Sequence, residues 1–470
     1  MTTAEAPRIP EEHEDTAERH AAALPSIPAP ARIQQVLVQQ AKEWGVSVLS
    51  RFPSLKPLVD KPRTQPMKSG AYRLYQWWKS PYGVPEKPAS VGEVPWDYVE
   101  ENQDKIPFQG LREYWYPAIE SKDLMHNELK PVTMLGDNIV LFRDADGRAR
   151  ALQNRCPHRG PLLSLGQVGV WAPGTLTCRY HGMTFDGDGE CVAFLADGPN
   201  SNACGKVRAR SYPVEEHRGV VLVYMGDKEP LSFMETFPHA QTVFGQKLMM
   251  IQQLDLPYSH LNMLDNTVDM THVGCLHRTC SLFNGQKPAG DMEFEEIFDG
   301  RGLHVWYTEP DEHPGTFSID HIEWLLPNLV YHAPGDLAGP LDEGYFWFVP
   351  RDVGSFTGWL IMGKTDFGTP MRNTLAAQAI NLMMGRFFGR IYPWPGSITS
   401  CIYGGDAVLQ AAQGRVARWD MDRLARTDRP VVKIRRMLQA AHQEEVAERK
   451  ARDEQKVHRI RRPEPEPSSG

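Results

Sequence analysis

Short alternating strands joined by tight turns dominate the middle of the chain. In NIVLFRDADGRARALQN, an apolar strand is followed by a turn at 144–147 and by a returning strand. MTFDGDGECVAF repeats this arrangement at 186–189, and GVVLVYMGD (219–227) adds a further strand. Tight turns ending in glycine between apolar runs are typical of hairpins. The pattern predicts a small all-β domain from about 110 to 228.

Longer elements follow this β-domain. SHLNMLDNTVDMTHVGCLH predicts a helix, and aromatic-rich strands follow, among them GYFWFVP and GWLIMG. Helices are predicted near 372–392 and 405–416, before a last charged helix. The pattern therefore predicts an α+β fold in which residues 229–445 form an antiparallel sheet flanked by helices, with a charged C-terminal tail at 446–470.

The first quarter of the chain carries little pattern. Residues 1–109 are predicted to be an N-terminal extension that is partly disordered, because its beginning is rich in Pro, Ala and Glu. IQQVLVQQAKEWGVSVLSRF (33–52) has helical spacing of its apolar residues. A packing arm or an oligomer contact is a better interpretation of this extension than a catalytic role.

The composition is that of an ordinary globular protein, with 41% hydrophobic and 23% charged residues. The formal net charge of −8 and the lack of a Lys/Arg stripe give no reason to expect a nucleic-acid partner. Seven cysteines in 470 residues are not a disulfide framework and fit a reducing cytoplasm. The sequence contains no apolar run of about 18 residues, so no membrane-spanning helix is predicted. The stretch LAAQAINLMMGRFFGRIY is interrupted by Arg386 and Arg390 and predicts a core or amphipathic helix.

Two Cys–His pairs lie in loops of the β-domain. They are Cys156-x-His158 and Cys178-x2-His181, and a glycine follows closely after each pair. Two cysteines and two histidines suit either tetrahedral zinc or an iron–sulfur cluster. A one-residue spacing is atypical of zinc, whereas short glycine-containing loops let backbone N–H groups point at bridging sulfides. These features favour a [2Fe–2S] cluster with both cysteines on one iron and both histidines on the other.

A second candidate metal site follows in DNTVDMTHVGCLH. It contains Asp265-x3-Asp269-x2-His272-x4-His277. On a helix the first three residues share one stripe, while His277 needs a helix irregularity to converge with them. Two histidines and a carboxylate make the facial triad of a non-haem Fe(II) site with open positions. A polar helix face with core histidines is the alternative interpretation.

The two motifs together resemble those of the α, or terminal oxygenase, subunit of the Rieske non-haem iron aromatic-ring-hydroxylating oxygenases. The resemblance covers about 110–440. It implies an all-β Rieske [2Fe–2S] domain at 110–228 and a mononuclear non-haem iron catalytic domain at 229–445. Rieske proteins of the bc1 type carry an extra disulfide where this chain has Pro161 and Tyr180, so the match is to the oxygenase domains.

The resemblance also implies the ligands of both metal centres. For the cluster they are Cys156, His158, Cys178 and His181, and for the Fe(II) they are His272, His277 and a distant carboxylate that opens a helix. In IYGGDAVLQAAQGRV that carboxylate is Asp406, since it follows two glycines and precedes a helical run. The competing carboxylates are less well placed, namely Asp366, Asp420 and Asp422.

By the same resemblance, Asp269 has a separate role. It would bridge the iron ligand His272 to the cluster ligand His181 of a neighbouring subunit, because a hydrogen-bonded carboxylate orients both imidazoles and shortens the electron path. This implies a head-to-tail ring. The TDRPVVKIRRML segment and the long C-terminal helix resemble those of the α-only homotrimers.

The activity that the resemblance implies uses O₂ and electrons from a partner. The chain has no G-x-G-x-x-G fingerprint, so the electrons would come from an NAD(P)H-dependent reductase, with or without a ferredoxin. The substrate would be a small hydrophobic, aromatic molecule that is hydroxylated, dihydroxylated or demethylated. A Rieske electron carrier without oxygenase chemistry and a zinc-binding interaction module are the alternatives. Aromatic residues of the strands are pocket candidates, although core packing is the stronger interpretation for each: Trp306, Trp324, Phe346, Trp347 and Trp359.

Overall fold

The computed structural model describes residues 91–245, 248–276, 292–307, 321–332, 343–364 and 406–460. Within these residues the strands form four antiparallel sheets. Several sequence predictions lie outside the described residues: helices 33–52 and 372–392, most of the N-terminal extension, His277 and Asp366.

The β-domain is built from three small sheets, preceded by helix α1 (Trp96–Asn102). One sheet has the order β2-β3-β4-β9, one β5-β6-β7-β8 and one β1-β11-β10. The strands are β1 (Trp115–Glu120), β2 (Lys130–Met134), β3 (Asp137–Arg143), β4 (Ala149–Gln153), β5 (Gln167–Val168), β6 (Leu176–Thr177), β7 (Met183–Phe185), β8 (Cys191–Phe194), β9 (Ser211–Tyr212), β10 (Val214–His217) and β11 (Val220–Tyr224).

The structure confirms both predicted hairpin turns. The Asp144 carboxylate accepts hydrogen bonds from the backbone N–H groups of Asp146 and Arg148, both at 3.0 Å. Asp186 does the same for the turn between β7 and β8, at 3.0 and 2.8 Å. Gly147 closes the first turn at φ 81°, a backbone region that glycine reaches without strain. These side chain-to-backbone bonds explain why an Asp-x-x-Gly sequence forms each turn.

The second half is one seven-stranded antiparallel sheet with helices, which confirms the predicted α+β class. The strand order is β12-β18-β17-β16-β15-β14-β13. The strands are β12 (Leu248–Leu256), β13 (Met292–Ile297), β14 (Gly302–Tyr307), β15 (His321–Leu325), β16 (Leu329–His332), β17 (Glu343–Asp352) and β18 (Ser355–Lys364). The helices are α2 (Phe233–Thr236), α3 (Ala240–Phe244), α4 (His260–Val268), α5 (Thr271–Leu276), α6 (Ala407–Ala412) and α7 (Arg429–Ile460).

Both faces of the large sheet are covered. Trp324 lies on the face that packs against α4 and α7, in one apolar cluster with Leu264 and Ile434. Trp347 belongs to a second cluster that joins the sheet to β1, β11 and α2. Both indoles are fully buried, and each large apolar side chain removed from water contributes roughly 1.5–3 kcal/mol. This packing holds α4, which directly precedes the helix that carries the candidate ligand His272, against the sheet.

Three details differ from or refine the sequence predictions. The segment predicted as one helix after residue 258 is two helices, α4 and α5, separated at Asp269. Helix α7 continues through Ile460, so the predicted tail at 446–470 begins as helix. Trp324, Trp347 and Trp359 are buried in the core, as the packing interpretation predicts. None of the described helices is long and apolar enough to cross a membrane.

Candidate metal centres

The first Cys–His loop leaves the end of β4 and folds back on itself. The backbone N–H of Cys156 donates to the carbonyl of Pro161 at 2.9 Å, and the N–H of Gly160 donates to the carbonyl of Cys156 at 2.9 Å. Gly160 has φ +84°, which lets the loop close with its amides turned inward. The side chain of Asn154 secures the far side of the loop by accepting from the N–H of Ser164 at 2.7 Å.

The second loop, between β6 and β7, repeats this geometry. The N–H of Cys178 donates to the carbonyl of Met183 at 2.8 Å, and the N–H of Gly182 donates to the carbonyl of Cys178 at 3.0 Å. Gly182 has φ +73°, and a Cβ there would lie 2.6 Å from that of Leu195. Glycine is therefore required by both the backbone conformation and the space. The sequence features noted above, a glycine close behind each pair, are explained by these two turns.

The two loops bring the four predicted cluster ligands together as a cysteine pair and a histidine pair. Cys156 and Cys178 belong to one buried cluster, and each cysteine is only 2% exposed. The imidazole rings of His158 and His181 have centroids 5.0 Å apart. His158 is exposed and His181 is half-buried. The histidine side of this site is therefore the side nearer to solvent.

The chemistry of these donors fits a [2Fe–2S] cluster. The Nδ1 atom of His181 is buried and has no hydrogen-bond partner within the described residues, as expected of a nitrogen that binds metal. Burial raises the pKa of the Cys156 thiol to about 11, so a thiolate there requires the positive charge that iron supplies. No three His, Cys, Asp or Glu side chains of the described part converge on a single ion. Two separate pairs are what a two-iron cluster requires.

The second candidate centre is organised by the break between α4 and α5. Asp269 leaves the helical conformation, with ψ 84°, and its carboxylate accepts from the backbone N–H of Thr271 at 3.1 Å. That contact caps the start of α5. The predicted single stripe of Asp265, Asp269 and His272 is therefore wrong, because the helix does not continue through Asp269. The break instead turns His272 towards the interior.

His272 and Asp406 lie side by side. The Nδ1 atom of His272 hydrogen-bonds to the backbone carbonyl of Asp269, which leaves the lone pair of Nε2 facing the other way. Nε2 is 3.3 Å from the Asp406 carboxylate. Burial opposes the charged imidazole, but the carboxylates of Asp406 and Asp269 outweigh it and hold the pKa of His272 above its usual value. A proton on Nε2 satisfies this pair in the absence of metal, and a metal ion bound by both groups can take the place of that proton.

Asp406 comes directly before α6 and is 6% exposed. The structure separates it from its competitors, because Asp420 forms an ion pair with Arg418 and Asp422 forms one with Arg435. Neither competitor contacts His272 in the described part of the chain. The third predicted iron ligand, His277, lies outside the described residues. The pair of His272 and Asp406 fits two of the three ligands of a facial triad.

An amide network that the sequence analysis missed supports Asp406. The Nδ2 atom of Asn266 donates to the Asp406 carboxylate at 3.2 Å, and the Gln410 amide donates to Asn266 at 2.8 Å. One turn earlier, Asn262 donates to the carbonyls of Gln410 and Gly414, at 3.2 and 3.1 Å. The helical spacing of the two asparagines was a signal in the sequence, but it did not reveal their partner.

Asp265 also has a role that the motif alone does not show. It forms an ion pair with Arg435 of α7, with 2.6 Å between the carboxylate and Nη2. Burial raises the pKa of Asp265 to about 6, and Arg435 opposes that rise. Arg435 also stacks over Trp419 at 4.7 Å from the ring centroid. Asp265 thus ties the helix α4 to the C-terminal helix rather than to the metal site.

Comparison with known proteins supports the first centre. Residues 114–213 match the family model of the Rieske [2Fe-2S] domain. The 3-chlorobenzoate-3,4-dioxygenase oxygenase subunit of Comamonas testosteroni is 34% identical over 211 residues, which are 44% of this chain and 42% of that one. The phenoxybenzoate dioxygenase α subunit of Ectopseudomonas oleovorans is 27% identical over 70% of this chain and 80% of its own.

The fold extends the similarity beyond the Rieske domain. The oxygenase in the reduced oxygenase–ferredoxin complex of carbazole 1,9a-dioxygenase superposes with a TM-score of 0.57. It is 20% identical, and the match covers 74% of this chain and 95% of that one. At this identity the similarity concerns the fold. Residues 114–213 thus form a Rieske [2Fe-2S] domain, and the chain is similar in sequence to the oxygenase subunits of two dioxygenases and in fold to the oxygenase of carbazole 1,9a-dioxygenase.

Proposed function

We propose that this chain is the terminal oxygenase component of a Rieske non-haem iron oxygenase. The observation that carries the proposal is the approach of His272 Nε2 to the Asp406 carboxylate, at 3.3 Å, in a chain that also carries the two Cys–His loops. An electron carrier needs only the loops. The buried imidazole–carboxylate pair adds a place for a second metal, and that addition favours an oxygenase over a carrier.

The residues of the chain have separate tasks in this proposal. His272 and Asp406, with His277, would hold Fe(II), which when bound supplies the activation of O₂. The Asp269 carbonyl fixes the tautomer of His272, and Asn266 orients the Asp406 carboxylate. The buried helices α4 and α6 exclude bulk water from one side of the site. Cys156, His158, Cys178 and His181 would hold the cluster that delivers electrons.

Electrons would reach the iron site through Asp269 of one subunit and the cluster histidines of another. Asp269 uses one carboxylate oxygen on Thr271, and its second oxygen has no hydrogen-bond partner among the described residues. A half-buried carboxylate with one oxygen available suits contact with an imidazole of a neighbouring copy. The proposal therefore includes a head-to-tail ring, and by family resemblance a homotrimer.

The proposed partners are an NAD(P)H-dependent reductase and a ferredoxin. The structural relative described above is an oxygenase in complex with ferredoxin, which supports a protein electron donor.

The proposed substrate is a small hydrophobic aromatic molecule, supported by the chlorobenzoate and phenoxybenzoate in the names of the two relatives. Their dioxygenase names support dihydroxylation as the reaction, with monohydroxylation and demethylation as the other outcomes. Cytoplasmic location stays a prediction from cysteine usage.

A single-turnover assay tests the proposal without a reductase. Iron-loaded protein is reduced chemically, mixed with O₂ and a panel of aromatic carboxylates and aryl ethers, and the products are identified by mass spectrometry. We expect two added oxygens and two added hydrogens, one added oxygen, or a lost methyl group. His272→Ala should keep the cluster spectrum and form no product. Equal product from wild type and His272→Ala would contradict the assignment, and a colourless protein without acid-labile sulfide would favour the zinc module.

A further inference from the structure

The four cysteines within residues 114–213 form two pairs, and the cluster accounts for only one of them. Cys191 and Cys204 are the second pair. Cys191 opens β8 and is fully buried, whereas Cys204 is half-buried in the loop before β9. Cys204 packs against the buried apolar cluster that contains Cys191, and burial together with the neighbouring Cys204 thiol raises the pKa of the Cys191 thiol to about 11. Neither residue belongs to the predicted metal ligands, so this thiol pair calls for its own explanation.

Backbone hydrogen bonds hold the two cysteines alongside each other. The N–H of Gly205 donates to the carbonyl of Cys191 at 3.0 Å, and the N–H of Cys191 donates to the carbonyl of Val207 at 3.0 Å. An isolated bridge between Glu190 and Arg208 continues this antiparallel pairing. A disulfide needs two backbone segments whose Cα atoms lie within about 7 Å of each other. These hydrogen bonds hold the two segments that carry the thiols side by side.

We propose that Cys191 and Cys204 form a redox modification site that closes to a reversible disulfide when it meets a hydroperoxide such as hydrogen peroxide. The proposal does not depend on the oxygenase activity. Two neighbouring thiols, one of them accessible and the other buried behind it, are the arrangement of an attacking and a resolving cysteine.

The reaction balances with hydrogen peroxide as the oxidant. The sulfur of Cys204, the more accessible of the two, attacks the O–O bond and becomes a sulfenic acid, and one water leaves. The sulfur of Cys191 then attacks the Cys204 sulfur, the S–O bond breaks, the S–S bond forms and a second water leaves. Two thiols lose two electrons and two protons, and one peroxide becomes two waters. A dithiol such as dithiothreitol reverses the bond by exchange.

The position of the pair connects it to the cluster loops. Strand β8 runs from Cys191 to Phe194, whose ring lies 5.1 Å from that of His158. The next residues donate backbone hydrogen bonds to the second cluster loop, from Leu195 to the carbonyl of Gly182 at 3.1 Å and from Ala196 to that of His181 at 3.2 Å. A bond at Cys191 therefore restrains the strand that contacts both cluster loops.

The sequence makes the site convenient to assay. Trypsin cleavage after Arg179 and Lys206 releases both cysteines on one peptide that contains no other cysteine. The holoprotein is treated with stoichiometric hydrogen peroxide, its free thiols are blocked with N-ethylmaleimide under denaturing conditions, and the peptide is weighed. We expect a loss of two hydrogens with no maleimide added in the peroxide-treated sample. Two added maleimides are expected in the untreated and dithiothreitol-treated samples.

Two variants make the result specific. Cys204→Ser and, separately, Cys191→Ala should keep the absorption spectrum of the cluster and lose the peroxide-dependent disulfide. In the wild type, the electron paramagnetic resonance spectrum of the reduced cluster should shift on peroxide treatment and return with dithiothreitol, and it should not shift in Cys204→Ser. Two reactive thiols after peroxide, or oxygen added to either sulfur without a disulfide, would overturn the proposal. An unchanged cluster spectrum in a disulfide-bonded wild type would overturn the connection to the cluster.

Discussion

Nε2 of His272 faces the carboxylate of Asp406 at 3.3 Å, although the two residues belong to helices far apart in the chain. Helix α5 supplies the imidazole, and the residue directly before α6 supplies the carboxylate. Asp406 is buried and His272 is half-buried; the Asn266 amide holds the Asp406 carboxylate, and the Asp269 carbonyl holds the His272 ring. A metal ion is the natural occupant of such a pair.

Replacement of Asp406 by Ala should empty the mononuclear site and leave the cluster intact. The carboxylate is a predicted ligand, and it contacts no part of the Cys–His loops in the described structure. Iron content should fall by one per chain while acid-labile sulfide and the cluster absorption stay unchanged. Asp420→Ala is the matched control, since its carboxylate forms only an exposed pair with Arg418. Iron loss in the control, or full iron in Asp406→Ala, would contradict the assignment.

Asn266→Ala should weaken Fe(II) binding without abolishing it. The amide donates to the Asp406 carboxylate at 3.2 Å, and loss of a residue that orients a metal ligand lowers affinity by roughly 10–100-fold. A titration of apo-protein with Fe(II) under anaerobic conditions measures the change. Asn102→Ala, whose amide bonds only to a carbonyl of its own helix, should bind iron as the wild type does. Identical affinities for the two variants would show that Asn266 does not act on the ligand.

Asp269→Ala should retain both metal centres and stop electron transfer between them. Reductase-driven turnover should fall below about 1% of wild type, because the proposed path loses its bridging carboxylate. Thr271→Val is the control, since it removes the hydroxyl contact to Asp269 but keeps the carboxylate. Stopped-flow absorption follows the oxidation of the reduced cluster after O₂ is added. Normal turnover of Asp269→Ala with both centres occupied would disprove the bridging role.

Gly182→Ala should destabilise the second cluster loop. Its φ of +73° costs an alanine about 1–2 kcal/mol, and the new Cβ would lie 2.6 Å from that of Leu195. Gly198→Ala meets the same backbone restriction, at φ +84°, but has no atom within 4 Å of the added Cβ. Thermal unfolding and cluster content should therefore both be lower for Gly182→Ala. Equal losses in the two variants would show that the close approach to Leu195 is unimportant.

Arg435→Met should destabilise the protein more at pH 8 than at pH 5. The folded-state pKa of Asp265 is about 6, above its ordinary 3.8, so the folded protein holds this proton more tightly and the contribution of Asp265 to stability falls as the pH rises through that window. Removal of Arg435 raises the pKa further and leaves a buried, unpaired carboxylate at pH 8, at a cost of roughly 3–5 kcal/mol. At pH 5 that carboxylate is protonated and the cost is smaller.

Urea unfolding at both pH values measures this difference. Lys450→Met is the control, since its pair with Asp104 is 62% and 60% exposed and such exposed pairs contribute little to stability. If Arg435→Met loses the same free energy of unfolding at both pH values, protonation of Asp265 does not determine the size of the loss.

The parts of the fold that depend on local chemistry could be predicted from the sequence. The turns at Asp144 and Asp186 follow from short side chain-to-backbone bonds, and the α+β class follows from strand and helix periodicities. The position of Asp406 before a helix could also be predicted, because two glycines and a helical run mark it. Nothing in these patterns requires knowledge of distant residues.

Long-range partners could not be predicted in the same way. Asn266 and Gln410 meet across the interface between α4 and α6, and Asp265 meets Arg435 from the C-terminal helix. The break at Asp269 is accompanied by two local hydrogen bonds, one from the Thr271 N–H to the Asp269 carboxylate and one between the His272 ring and the Asp269 carbonyl. Helical spacing does not represent either bond. The contacts of Asn266 with Gln410 and of Asp265 with Arg435 decide the geometry of the site, and each joins segments that are far apart in the sequence.

The break at Asp269 has a mechanical consequence. The side chain of Asp269 is half-buried, and its main-chain carbonyl accepts a hydrogen bond from the ring of His272. One residue therefore connects a partly exposed carboxylate to a candidate iron ligand. A neighbouring copy that bound this carboxylate, as proposed, would therefore act on the residue that positions the imidazole. Contact with the neighbour and orientation of the candidate iron ligand would be linked through a single residue.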